Sequence, residues 1–198
     1  MGKSTQIQNG KVENFDWVQW KNDILLLGFN QEVSDEELLL ITENLSPTVK
    51  TAAKQCVSDS NNDFQNEITN QRQLILESLT PSEALISSSE ALTSVNWNKW
   101  KKKTIKQLDN ASDKSNKETV DAIAKKGQSL PPQDQESFAN FMAKAVLSGF
   151  AQIGKDIEGG IIEAADKIAE GFEDAEKAIG NWAEGAAKSV GHFFSSIF

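Results

Sequence analysis

An all-α fold is predicted by three features of the sequence. Ala, Leu, Glu, Lys and Gln dominate the segments in which apolar residues recur every three or four positions. The alternation of apolar and polar residues that marks strands is scarce, and tyrosine is absent. An eleven-residue apolar repeat occupies the last sixty or so of the 198 residues, which is a helical period. The expected architecture is an N-terminal multi-helix domain over 1–130, followed by a long C-terminal amphipathic helix over 131–198.

The first helix is expected after Asn14 or Asp16, either of which can cap it, because Trp17, Trp20, Ile24 and Leu27 lie on one stripe. Gly28 and Asn30 would end it. Ser34-Asp35-Glu36-Glu37 is a capping box before Leu38, Leu39, Leu40, Ile41 and Leu45, so these acids read as caps rather than catalysts. Ser46-Pro47 opens a short helix to Val57, with Cys56 a buried small hydrophobe. Ser58 to Asn62 reads as a loop, and Phe64, Ile68, Leu74, Ile75 and Leu79 give a further helix. Thr80-Pro81-Ser82-Glu83 is a second capping box, and helices near 82–93, 96–109 and 116–126 are expected after it.

Asp16-Trp17-Val18-Gln19-Trp20-Lys21 has an echo in Asn96-Trp97-Asn98-Lys99-Trp100-Lys101. Paired tryptophans one turn apart are ordinarily helix-packing residues. Trp97, Trp100, Lys101, Lys102 and Lys103 could instead make an aromatic and basic surface for lipid or a partner. Pro131-Pro132 marks the boundary between the two parts, because a proline disfavours helix in its predecessor.

Beyond that boundary Val146, Ile157, Ile168, Ile179 and Val190 recur every eleven residues, and so do Phe150, Ile161, Phe172, Ala183 and Phe194. Eleven residues at about 100° each make three turns plus about 20°, so both series keep to one face of a helix. Most of the acids, such as Asp156, Glu163 and Glu173, fall on the other face. The candidate membrane- or partner-binding residues are therefore Val146, Phe150, Ile157, Ile161, Ile168, Phe172, Ile179, Trp182, Val190, Phe193, Phe194 and Phe198. Glycine is unusually frequent here, and each one costs about 0.5–1 kcal/mol relative to alanine in a helix interior. A long helix of this composition is expected to need a surface to lie on.

In its period this segment resembles the lipid-surface helices of synucleins, perilipins and apolipoproteins. Its Gly/Ala-rich, Phe-tipped composition is similar to membrane-active peptides of toxins, bacteriocins and non-enveloped capsids. Both resemblances imply lipid binding. The acidic polar face departs from the lysine-rich pattern of such helices, so binding to anionic lipid should need acid.

Charge and chemistry narrow the remaining classes. The net charge of −9 argues against nucleic acid as the partner. Lys99 to Lys126 carry nine lysines and four acids, whereas 151–198 carry four lysines and nine acids. His192 and Cys56 are the only residues of their types, and no metal-ligand spacing or phosphate loop is present. No enzymatic activity, no cofactor and no metal are expected. The sequence contains no signal-peptide core and no run of about 18 apolar residues. A soluble protein is expected, cytoplasmic or released by a non-classical route and able to associate with membranes. The function expected is membrane binding, permeabilisation or pore formation through the C-terminal helix, masked in the soluble form. The alternative is a non-catalytic scaffold that self-associates, or binds a protein partner, through the same helix. A homo-oligomer is expected in either case.

Overall fold

The computed structural model describes residues 15–27, 34–79, 94–168 and 172–197. The protein is all-α, with six helices and no strand among the described residues. They are α1 (Trp17–Leu27), α2 (Asp35–Glu43), α3 (Pro47–Leu79), α4 (Ser94–Gln128), α5 (Pro132–Ile168) and α6 (Phe172–Ser196). The expected second capping box and the helix near 82–93 lie outside the described residues.

Helix starts follow the local chemistry. The Asp16 carboxylate accepts the Gln19 amide proton at 2.9 Å, and Ser34 Oγ accepts that of Glu37 at 3.3 Å. Glu37 itself pairs with Lys144 of α5, so its side chain ties α2 to the bundle instead of closing the capping box. Ser46 Oγ caps α3 through the Val49 amide and donates to Asp134 at 2.9 Å, joining the first turns of α3 and α5.

Helices α3 to α6 form an up-down-up-down bundle in which each packs on the next and α6 returns to α3. The directions are fixed by neighbours. Cys56 and Lys126 line one cleft while Asn70 and Ala111 line the next, so α3 and α4 are antiparallel. Gly149 meets Phe194 and Gly160 meets Trp182, so α5 and α6 are antiparallel as well. Residues on both sides of Pro131 share one core, including Phe64, Ile75, Ile123, Phe138, Phe141 and Ile179.

Three expectations need correction. The expected loop at Ser58–Asn62 is helical, because α3 runs unbroken. Its buried stripe is Ala53, Val57, Ser60, Phe64, Ile68, Gln71 and Ile75, and the polar member Ser60 hides its continuity across the expected loop. The expected break between 109 and 116 is likewise inside α4, where packing against α3 overrides a polar local sequence. The expected single C-terminal helix is two helices, α5 and α6, packed on each other. A straight helix over 138–198 would be about 90 Å long and would leave its apolar face uncovered. Two antiparallel halves cover each other.

Helix α1 lies across the end of the bundle where α4 turns into α5. Trp17 Nε1 donates to Gln135 Oε1 at 3.0 Å, and Trp20 Nε1 donates to the Ala139 carbonyl at 3.1 Å. Both indoles are thus core residues with satisfied N–H groups. Gly127 is required for this arrangement, since a Cβ there would fall 2.0 Å from the Trp17 ring.

Candidate membrane- or partner-binding site

Where its side chains are described, the apolar stripe of the C-terminal segment is turned inward. Val146 and Ile179 are fully buried, and Trp182, Val190 and Phe194 are buried with them, while Phe193 is half-buried against the same core. Phe150, Ile157, Ile161, Ile168 and Phe172 occupy α5 and α6, but their side chains lie outside the described set, as does Phe198 altogether.

The eleven-residue spacing has a packing consequence. Gly149 and Gly160 stand one repeat apart and leave notches on α5, which the rings of Phe194 and Trp182 fill. A Cβ at Gly160 would lie 2.4 Å from the Trp182 indole, and one at Gly149 would lie 2.8 Å from Phe194. Phe194 also stacks on Phe64 of α3 at a centroid distance of 5.3 Å. Gln65 Nε2 donates to the Ala187 carbonyl at 2.7 Å, a second tie between α3 and α6. Gly159, Gly180 and Gly185 differ from these, having open space where a Cβ would stand.

The basic surface on α4 is partly described. Lys102 and Lys103 are exposed and make no ion pair among the described residues, whereas the side chains of Trp97, Trp100 and Lys101 lie outside the described set.

Two adjoining clefts of about 400 and 370 Å³ lie between α3 and α4, sharing Asp63 and Thr119. The first is polar and flanked by Asp63, Glu67, Lys114 and Glu118. Burial, together with repulsion from Asp59 and Glu118, pushes the Asp63 carboxyl above its ordinary value. The second reaches Cys56, whose thiol is pushed up to about 11, mainly by burial, so it stays protonated near neutrality and is a poor nucleophile. No group of three or more His, Cys, Asp or Glu side chains able to hold a metal ion occurs among the described residues. His192 is exposed.

One surface was missed by the sequence reasoning. The exposed large apolar side chains among the described residues are Val18, Leu25, Leu26, Leu39 and Leu40, all on α1 or α2. The available signal was the unbroken runs Ile24-Leu25-Leu26-Leu27 and Leu38-Leu39-Leu40-Ile41, since consecutive apolar residues on a helix cannot all face one partner.

No described helix is long and apolar enough to cross a membrane. No protein-family model, no curated protein and no solved structure matches the chain.

Proposed function

We propose that the protein is a latent membrane-active protein, in which the α5–α6 pair stores a lipid-binding surface inside the bundle and acts after leaving α3. The observation that carries this reading is the division among the glycines. Gly149 and Gly160 are used for close packing, but Gly159, Gly180 and Gly185 face open space, where alanine would fit. Each of those three leaves its helix about 0.5–1 kcal/mol less stable than alanine would, with no packing gain in return. A pair of helices that must leave α3 and then open is served by such a deficit, and once the pair is open its buried residues Val146, Ile179, Trp182, Val190 and Phe194 are the apolar face that lipid would receive.

The test loosens the clasp without altering the pair. Phe64 belongs to α3, packs on Phe194 and lies beside Gly149, so Phe64→Leu weakens the hold on α5 and α6 and leaves their sequence intact. Flotation with neutral and anionic vesicles, and release of trapped dye, would be measured for the full chain and the variant at neutral and mildly acidic pH. More binding and faster release by the variant are expected. If neither protein binds or permeabilises vesicles of any composition at either pH, the membrane reading is wrong.

A further inference from the structure

We infer that copies of this chain associate head to tail, the exposed apolar face of α1 and α2 on one copy receiving the lysine stripe at the start of α4 on another. This inference is independent of the membrane reading, because neither surface belongs to α5 or α6.

Three observations meet in it. Val18, Leu26, Leu39 and Leu40 are more than half exposed, and they lie on two helices whose opposite faces are already committed to the core through Trp17, Trp20, Ile24 and Leu38. Exposed large apolar groups on two helices that follow one another in the chain mark a contact surface. The segment's own charge is acidic: residues 16–43 contain seven acids and one lysine, Lys21, which is already paired with Asp121 at 2.8 Å, and of the acids Glu37 is paired with Lys144 of α5. A partner must therefore bring apolar surface and positive charge together.

The first turns of α4 supply both. Residues 94–107 contain five lysines and no acid, and Lys102, Lys103 and Lys106 follow helical spacing along one face. Lys102, Lys103 and Lys106 are exposed. A lysine covers apolar surface with its methylene stem while its ammonium group reaches a carboxylate at the rim, so this stripe fits leucines bordered by Asp16, Asp23, Glu36 and Glu43.

The stripe and the α1 part of the receiving face cannot meet within one molecule. Helix α1 is fastened to the far end of α4, by Lys21 to Asp121 and by Trp17 to Gly127. Lys103 and Asp121 are separated by about 27 Å along the same helix, well beyond the screening length of about 8 Å at physiological ionic strength. Complementary surfaces at opposite ends of one rigid element pair between copies. Because the two surfaces differ, the contact is heterologous and builds chains or a ring rather than a two-fold dimer.

The experiment is sedimentation equilibrium of the full chain at low salt, with two double variants. Leu26→Lys with Leu40→Lys spoils the receiving face, and Lys102→Glu with Lys103→Glu spoils the stripe. All four positions are exposed, so the core is untouched, and circular dichroism would confirm unchanged helix content. The wild-type chain is expected to show a concentration-dependent mass above the monomer that falls at an ionic strength of about 1 M. Each variant alone should be monomeric. An equimolar mixture of the two should give a species of twice the monomer mass, since one intact face and one intact stripe remain and growth stops there. A monomeric wild type overturns the inference. So does a stripe variant that associates normally, or a mixture that stays monomeric, either of which would show that the leucine face pairs with something else.

Discussion

The two antiparallel helix pairs of this bundle are built in opposite ways. Between α5 and α6 the rings of Trp182 and Phe194 fill glycine notches at Gly160 and Gly149. Between α3 and α4 two clefts remain, and the buried polar residues Ser60, Glu67 and Thr119 line them. Close packing rewards every contact at van der Waals distance, whereas a buried amide or carboxylate stabilises only as far as its hydrogen bonds replace water. The α5–α6 seam should therefore respond strongly to changes of shape, and the α3–α4 seam to changes of charge.

The largest effect expected is at Phe64, where α3 closes over the α5–α6 seam. Phe64→Ala removes a fully buried ring stacked on Phe194 and should destabilise the protein by about 3–5 kcal/mol, read from the urea midpoint. A loss below about 1 kcal/mol would mean that the seam relaxes into the space and is not closely fitted.

Gly160 and Gly159 give a sharper comparison because they are adjacent and face different surroundings. A Cβ at Gly160 would strike the Trp182 ring, so Gly160→Ala should cost about 1–3 kcal/mol. Gly159→Ala meets nothing within 4 Å and should stabilise by about 0.5–1 kcal/mol through helix propensity alone. Thermal unfolding of the two variants side by side would decide this. The same sign for both would remove the notch from the account.

These seams also differed in how legible they were. The α5–α6 stripe showed in the sequence because its positions are apolar and its period is regular, but a repeat says only that one face is apolar. Whether that face meets lipid, another chain or its own other half depends on where the helix is interrupted, and the stripe residues themselves do not encode that. The α3–α4 seam was obscured by Ser60 within the stripe of α3 and by the polar stretch around Ser115 within α4, so two continuous helices read as four segments with polar gaps. Burial of Ser60 is a tertiary fact that no local pattern carries. Trp17 and Trp20 were legible as packing residues, while the role of Gly127 as the seat of an indole was not, since its neighbours spelled a turn.

The smallest effect, and the one that isolates charge, is at Asp63 on the α3–α4 seam. Its carboxyl is raised above the ordinary 3.8 by burial first, then by Asp59 and Glu118. The folded chain thus holds this proton more tightly than the unfolded chain does. Ionised Asp63 opposes folding at any pH above its raised pKa, the penalty shrinks as pH falls from there towards 3.8, and it is absent below that value. Asp63→Asn should accordingly raise the melting temperature at neutral pH, and the gain should fade through that window and vanish at lower pH. A gain of equal size at all pH values would assign the effect to shape and erase the distinction between the two seams. A loss at neutral pH would show that the carboxylate is held by a cation such as Lys114, which lines the same cleft, and that the gap between α3 and α4 is closed by charge after all.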